Sequence, residues 1–280
     1  MTPQPCENCA ACGTGALDDV AVLMPVYNCQ DDAWRSLASI REAAPLRVLI
    51  VDDGSHPPFV APCAPDLFIE VLRLPRNQGI EAALAAGVER LAAQGIRFIA
   101  RLDGGDLLRA GRLGRQRQAF EAKPRLGALG CWAQAVSRDG QPLFAMRPPS
   151  GAAQIRRQRF WRSCFIHPAM MLRTEAVLQA GNYRARYPAA EDLDLFLRIM
   201  RRWDCANLSE IGLDYEVNPG GISGSRRRRQ VISTLRLQCA YFEAGNPLYW
   251  GGLVKNLLHL VTPYALLFRL KRALRRRARA

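Results

Sequence analysis

Apolar runs alternate with helical patterns through the first 120 residues of this chain. The first run, Val20 to Val26, is almost free of polar interruption, and Pro25 breaks it only locally. Unbroken apolar runs of this length are typical of strands buried on both faces of a parallel sheet. The alternation therefore predicts an α/β domain in which helices cover both faces of a mostly parallel sheet. The predicted strands are Val20 to Val26, Arg47 to Val51, Leu67 to Leu74 and Ile96 to Leu102, and the predicted helices are 33–40, 81–93 and 112–122.

The second half of the chain mixes strand and helix signals. Leu126 to Val136 is a predicted strand, and Arg138-Asp139-Gly140 has the composition of a hairpin turn, which indicates a short antiparallel element. Residues 155–162 are predicted as a basic helix or loop, and 165–172 returns to the sheet. An amphipathic helix is predicted from Glu191 to Trp203. Its expected buried side chains are Leu193, Leu195, Phe196, Ile199 and Met200.

Composition divides the chain into three parts. Residues 1–18 are rich in Pro, Cys and small residues without periodicity, which predicts a disordered tail. Residues 19–218 form the predicted α/β domain. Residues 219–280 form a predicted helical, basic C-terminal extension, which starts in the turn-forming stretch Asn218-Pro219-Gly220-Gly221.

The extension contains a nearly uncharged stretch, Ala244 to Phe268, in which Lys255 is the one formal charge. Pro263 interrupts its longest apolar segment, whereas a spanning helix needs about twenty predominantly apolar residues in sequence. The sequence favours an interfacial segment followed by an arginine-rich end, which suits an acidic membrane surface. Helices packed against the domain, with a solvated basic end, are equally consistent with this pattern.

Charge changes the picture of an otherwise ordinary globular composition, because the net charge is +14 and unevenly spread. Basic patches attract nucleic acid, acidic lipid head groups or phosphorylated substrates. No segment resembles a helix-turn-helix, a zinc finger or a base-stacking platform, so no nucleic acid partner is expected. The basic blocks are Arg226 to Arg229, then Arg156, Arg157, Arg159 and Arg162, and finally Arg269, Lys271, Arg272, Arg275, Arg276, Arg277 and Arg279.

Cysteine usage and the amino terminus bear on the compartment. The first twenty residues lack the basic start and apolar centre of a secretory signal, which predicts a cytoplasmic protein. Nine cysteines in a reducing compartment are expected to be free thiols. Cys6, Cys9 and Cys12 have a spacing that suits zinc or an iron–sulfur cluster, with Cys29 as a formal fourth ligand. A disordered tail is the favoured interpretation of that stretch.

Polar residues follow three of the predicted strands at the point where each strand ends. They are Tyr27-Asn28, Asp52-Asp53 and the stretch Asp103 to Asp106. Open α/β sheets bind ligands at the carboxyl ends of their strands, and carboxylates there suit Mg²⁺ or Mn²⁺ shared with substrate phosphates. Asp and Gly are also common in turns, so the last stretch alone favours a turn. Three such stretches together favour a site, because clustered carboxylates repel without a cation or donors between them.

These stretches belong to an ordered set of motifs that resembles the family 2 glycosyltransferases of the GT-A fold. The resemblance covers roughly residues 20–223. It implies an inverting enzyme that transfers a sugar from a nucleotide diphosphate donor, most simply a UDP-sugar, to a glycan or a lipid-linked acceptor. The matching motifs are Met24-Pro25-Val26-Tyr27-Asn28, Val51-Asp52-Asp53-Gly54-Ser55, Asn77-Gln78-Gly79, Ala100-Arg101-Leu102-Asp103, His167-Pro168, Gly181-Asn182-Tyr183 and Glu191-Asp192-Leu193-Asp194-Leu195.

The resemblance also implies roles for individual residues. Asp192 would be the general base that takes the proton of the acceptor hydroxyl. Asp103 and Asp106 would hold Mn²⁺ or Mg²⁺, which neutralises the departing diphosphate. The amino end of a helix is an alternative reason for acids at Glu191-Asp192. The implied donor and acceptor contacts are Pro25, Tyr27, Asn28, Asp53, Gly79, Asp103, His167 and Glu191.

Two positions depart from the family pattern. Gly105 stands where the third residue of Asp-x-Asp normally supplies a metal ligand. Asp106 could replace it, Asp103 could bind the metal through water, or metal binding could be weak. Ala85-Ala86 stands where an Arg-Asn pair is frequent. The first departure supports an alternative, a non-catalytic sugar-nucleotide binding protein with a degraded metal site. The Gln-x-x-Arg-Trp signature of processive polymer synthases is not visible, which favours an enzyme that adds a single sugar.

Further residues have weaker signals. Arg226 to Arg229 are candidates to neutralise the diphosphate, although a solvated charge run is the commoner explanation. Trp161 and Tyr187 are candidates to stack on a sugar ring, and packing is the commoner role for each.

Overall fold

The structure is a computed structural model that describes residues 17–217 and 227–262. Within these residues nine strands form one sheet in the order β3-β2-β1-β4-β8-β6-β9-β5, with β7 paired to β6. The strands are β1 Val20–Val26, β2 Leu46–Asp52, β3 Leu67–Arg73, β4 Phe98–Arg101, β5 Leu107–Leu108, β6 Leu126–Val136, β7 Pro142–Met146, β8 Met171–Arg173 and β9 Asp204–Glu216. The helices are α1 Gln30–Ala38, α2 Ile80–Ala93, α3 Arg112–Ala122, α4 Ala152–Gln158, α5 Thr174–Gln179, α6 Glu191–Ile199, α7 Arg227–Ala240 and α8 Pro247–Val261.

Helices cover both faces of the sheet, as the apolar runs predict. Ala21 and Leu23 of β1 lie in a core formed with α2, α5 and α6. Val22 and Met24, which point to the opposite face, lie in a second core with α1 and α3. Since successive side chains of a strand alternate between faces, a strand buried on both sides must be apolar throughout.

The sheet is mixed, with four parallel neighbours on one side and a further parallel pair among antiparallel strands on the other. Strands β3, β2, β1 and β4 are parallel neighbours. Beyond β4, the pairs β4 with β8, β6 with β8, β6 with β7 and β5 with β9 are antiparallel, whereas β6 and β9 are parallel. The expected hairpin after Val136 is present and joins β6 to β7, because so short a connection can link only antiparallel strands.

Helix α6 is shorter than the amphipathic pattern predicts, since it ends at Ile199. Four of its five expected buried side chains are buried, and Leu193 is half-buried. Strand β8 begins only at Met171, after a short 3-10 turn at His167–Ala169.

The two C-terminal helices α7 and α8 pack against the α/β domain. Leu237 of α7 and Tyr249 of α8 are almost fully buried, and both belong to the core on the α2 and α6 side. None of the helices in the described part of the chain is long and apolar enough to span a membrane. Leu17 already packs into the other core, two residues before the expected start of the domain.

Several expectations concern residues outside the described ranges. These are the metal-binding alternative at Cys6, Cys9 and Cys12, the turn at 218–221, the first arginine of the Arg226 to Arg229 block, and the basic end 263–280.

Candidate functional site

The loops that follow β1, β2 and β4 meet at one edge of the sheet. Because β1 lies between β2 and β4 and all three run parallel, their carboxyl ends point the same way. Tyr27, Asp53 and Asp103 follow these three strands. The polar residues that the sequence places after the strands are therefore brought together, at the position where open α/β sheets bind ligands.

The first two loops are joined by hydrogen bonds at Asn28. The Asn28 backbone N–H donates to Ser55 Oγ at 3.0 Å, and the His56 N–H donates to Asn28 Oδ1 at 2.8 Å. Asn28 adopts a left-handed backbone conformation with φ of 51°, which asparagine tolerates better than most residues. The Tyr27 ring is 49% exposed beside this junction, and Pro25 is half-buried beneath it. A flat exposed ring in this position can stack on a nucleotide base.

Asp53 connects the second loop to the start of α2. Its two carboxylate oxygens accept hydrogen bonds from the Gln78 and Gly79 backbone N–H groups, at 2.8 and 2.9 Å. Gly79 has φ of 93°, a conformation that L side chains rarely adopt. Asp53, which is 4% exposed, thus fastens the helix start to the loop, and each of its oxygens keeps a second lone pair.

A buried arginine supports the loop after β4. Arg101 is fully buried, donates to the Leu23 carbonyl at 2.6 Å, and forms an ion pair with the Asp103 carboxylate. Ser36 of α1 holds the same loop from the other side, because the Gly105 N–H donates to its Oγ at 2.9 Å. The Asp103 side chain, 33% exposed, remains accessible at the edge of the sheet.

Asp106 turns away from the cleft and into the protein. It is 4% exposed, and its Oδ1 accepts a hydrogen bond from the Glu216 N–H of β9 at 2.9 Å. Burial, followed by the negative charge of Asp103, raises the pKa of Asp106 to about 8. In the absence of a cation the carboxyl therefore keeps its proton at neutral pH, and a bound metal would displace that proton. The role of Asp106 as the replacement ligand stays a prediction.

Other groups occupy the space beside Gly105. A Cβ added at Gly105 would lie 3.9 Å from Glu216 Oε1, and Glu216 Oε2 accepts a 2.5 Å hydrogen bond from Arg35. Arg101 pairs with one oxygen of Asp103, and the carboxylate keeps lone pairs that could bind a cation. Within the described ranges no three His, Cys, Asp or Glu side chains are arranged to hold a metal ion. The residues present therefore do not fit a resident divalent metal.

Glu191 and Asp192 open helix α6 and carry perturbed carboxyl groups. Glu191 is 9% exposed, and its Oε2 has no hydrogen-bond partner. Burial, followed by the charge of Asp192, raises the pKa of Glu191 to about 8. Burial also raises the pKa of Asp192, and the negative charge of Asp103 adds to this effect. Asp103 and the acid pair are therefore close enough to interact electrostatically, as expected of one site.

A buried ion pair fixes the start of α6. Asp194 bonds Arg184 at 3.0 Å and Arg198 at 2.9 Å. Arg198 also donates to the backbone carbonyls of Ala180 and Asn182. The motifs Gly181-Asn182-Tyr183 and Glu191-Asp192-Leu193-Asp194 are therefore linked, and Asp194 acts as the partner of two arginines.

His167 is enclosed by aromatic side chains. Its Nε2 lies 2.8 Å from Tyr183 Oη, and its ring meets Phe196 edge to face. Burial, followed by the positive charge of Arg101, lowers the pKa of His167 well below its usual value, so the ring is neutral. These contacts support the structural role that a lone histidine often has.

The two candidates for stacking on a sugar ring lie in packed positions. Tyr187 is buried, and Trp161 packs against Gly251 of α8.

Several supporting residues are not evident from the sequence. Arg101 belongs to the motif Ala100-Arg101-Leu102-Asp103. The hydrophobic pattern of the sequence does not show that its side chain is buried or that it contacts Leu23 of β1 and Asp103. Ser36 appears only as one polar position of α1, and Glu216 as an ordinary strand residue. In each case the partner is distant in sequence, so the interaction depends on tertiary structure.

The chain belongs to glycosyl transferase family 2, whose sequence model matches residues 21–180. The fold and the family together define a GT-A glycosyltransferase. No curated protein sequence matches the chain.

Two solved glycosyltransferase structures illustrate the similarity of fold. The mannosyltransferase PcManGT from Pyrobaculum calidifontis, in complex with GDP-Man and Mn²⁺, has a TM-score of 0.61 and 17% identity; the match covers 91% of this chain and 80% of that chain. S. aureus TarS 1–349 in complex with UDP-GlcNAc has a TM-score of 0.57 and 17% identity, covering 86% and 72% respectively. Both are complexes with nucleotide sugars.

Proposed function

We propose that this chain is an inverting glycosyltransferase in which Asp192 is the general base. The observation that carries the proposal is the buried acid pair at the start of α6, close to Asp103 at the edge of the sheet. The acceptor hydroxyl oxygen attacks the anomeric carbon while its proton passes to Asp192. The bond between that carbon and the diphosphate oxygen breaks, and the nucleoside diphosphate leaves. A raised pKa brings the base closer to the operating pH, which favours proton transfer.

The donor binds, in this proposal, across the loops after β1 and β2. Tyr27 stacks on the base, Asn28 and Pro25 shape the pocket, and a spare lone pair of Asp53 accepts the imide N–H of uracil. Thymine carries the same imide N–H, so this acceptor suits a UDP-sugar or a dTDP-sugar. Gly79 lets the chain approach the donor without a side chain, and Asp103 binds the ribose. Glu191 Oε2, which has no partner, exchanges a hydrogen bond with a sugar hydroxyl; His167 supports this part of the site through Tyr183.

A divalent cation would reach this site only together with the donor. Mn²⁺ and Mg²⁺ are often held by one carboxylate and substrate phosphates, and the partly exposed carboxylate of Asp103 can contribute one ligand. No step of the proposed reaction depends on the cation.

The acceptor is proposed to be a growing glycan or its lipid carrier, and the protein to act in the cytoplasm at the inner face of the cell membrane. The uneven positive charge supports this assignment, because acidic head groups attract basic segments.

The test is nucleotide release from UDP-, dTDP- and GDP-sugars with and without Mn²⁺. Asp192→Asn should reduce release by about 10² to 10⁴-fold, the usual contribution of a general base. Glu175→Gln is the matched control, since Glu175 also lies in the first turn of a helix but on α5. Full release by Asp192→Asn would remove this residue as the base.

One observation favours a second function, a non-catalytic sugar-nucleotide binding protein. Gly105 leaves the diphosphate without the usual carboxylate-bound metal. Tight binding of a UDP-sugar, with neither transfer nor hydrolysis for any candidate acceptor, would favour this alternative.

A further inference from the structure

Helix α8 has an apolar outer face, and its buried face includes polar groups. Tyr249, Gly252 and Asn256 face the domain; Tyr249 donates to the Gln238 carbonyl at 2.9 Å, and Asn256 donates to Gln238 Oε1 at 2.8 Å. A helix at the surface of a water-soluble domain normally has the opposite arrangement. The outer face of α8 is therefore not explained by packing within the described protein.

The exposed side chains of α8 form one continuous stripe. Trp250, Val254, Leu257 and Leu258 are spaced so that all four share one side of the helix, and they are 44%, 56%, 48% and 56% exposed. Trp161, 41% exposed, extends the stripe where it packs against Gly251. Single exposed apolar residues are common on protein surfaces, but a contiguous patch marks an interaction site.

The charge along this part of the chain identifies the partner. No Asp or Glu follows Glu243 in the given sequence, whereas residues 244–280 contain eight Lys and Arg residues. An apolar helix face with tryptophan at its border, followed in the sequence by cations, has the composition of an interfacial membrane segment. A protein partner of unspecified charge would not require the complete loss of acids over these 37 residues.

We propose that the outer face of α8 docks this protein on the surface of an anionic phospholipid bilayer. Trp250, Val254, Leu257 and Leu258 enter the boundary between head groups and acyl chains, and the basic C-terminal residues attract the acidic head groups. The helix lies in the plane of the membrane. This inference rests on the proposed function in one respect: docking on a membrane would give the candidate glycosyltransferase site access to a lipid-linked acceptor.

The test is co-flotation of the full-length protein with vesicles of phosphatidylcholine containing about one third phosphatidylglycerol, and with phosphatidylcholine alone. We expect binding to the anionic vesicles, weaker binding to the neutral ones, and a decrease with added salt. Leu257→Gln/Leu258→Gln should lower the partition coefficient at least about tenfold, because two half-exposed leucines lose their transfer into the bilayer.

Leu143→Gln/Leu178→Gln is the matched control, because these two leucines, each 46% exposed, lie on β7 and α5. Equal losses in both double variants, or no flotation of the wild type, would overturn the proposal. A dimer in solution that Leu257→Gln/Leu258→Gln converts to a monomer, without vesicle binding, would assign the stripe to a second copy and also overturn it. Nucleotide release in solution tests the catalytic proposal separately from membrane docking. Leu257→Gln/Leu258→Gln should keep the wild-type rate of nucleotide release.

Discussion

The buried carboxyl of Asp106 makes a specific prediction about how stability depends on pH. In the folded protein its pKa is raised to about 8 by burial and the charge of Asp103. In the unfolded chain an aspartate titrates near 3.9. Between these values the folded state holds one proton that the unfolded state has released. This contribution to stability is complete below the unfolded pKa and is lost as the pH rises through the folded pKa.

The magnitude follows from that single proton. A difference of one bound proton changes the free energy of unfolding by about 1.4 kcal/mol per pH unit. Asp106→Asn removes the titration while its side-chain oxygen can still accept from the Glu216 N–H. The stability of the variant relative to wild type should therefore rise by about 2.7 kcal/mol between pH 5.5 and 7.5.

Urea denaturation of both proteins at several pH values measures this difference, and the slope with urea should stay the same. The two stability curves should diverge steadily across the range. Parallel curves would refute the argument, since they would mean that Asp106 is ionised in the folded protein. A large loss of nucleotide release in Asp106→Asn, with unchanged stability, would instead indicate that Asp106 is a metal ligand.

The remaining predictions concern the site and its supports. The pH profile of turnover should have an acidic limb above the ordinary aspartate pKa, because the base must be ionised. Glu191→Gln should leave that limb in place, because the charge of Asp192 raises the Glu191 pKa to about 8 and Glu191 is therefore still neutral when Asp192 ionises; a limb that moves to lower pH would show that Glu191 ionises first. Gly54→Ala should destabilise the fold by about 3 kcal/mol or more, since the new Cβ would lie 2.5 Å from the Arg76 backbone. Gly140→Ala should cost only about 1 kcal/mol in thermal unfolding, because it has a similar φ but open space, and equal costs would contradict this. Mn²⁺ should show no binding to the nucleotide-free protein by electron paramagnetic resonance, and a stoichiometric complex would refute the proposed lack of a resident metal site.

The sequence by itself determined the α/β class and most of the elements. In runs such as Val20 to Val26, the residues that point to either face of the sheet are apolar. A strand needs apolar residues on both faces only when both faces are covered. The order of the polar motifs also placed their residues at strand ends, and the family match over residues 21–180 agrees with that interpretation. These features are local, so they can be recognised without knowledge of the rest of the molecule.

Only the tertiary structure decided what the polar groups contact. The position of Asp106 next to Gly105 gives no sign of its contact with β9, more than one hundred residues later, which supplies the N–H that holds this carboxyl inside. Asp53 is bound by the start of α2, and Asp103 by an arginine whose burial depends on β1. The outer face of α8 became distinguishable from its inner face only when the helix was packed on the domain. Burial and pairing arise from residues far apart in the chain, whereas the hydrophobic pattern reports only on neighbours along it.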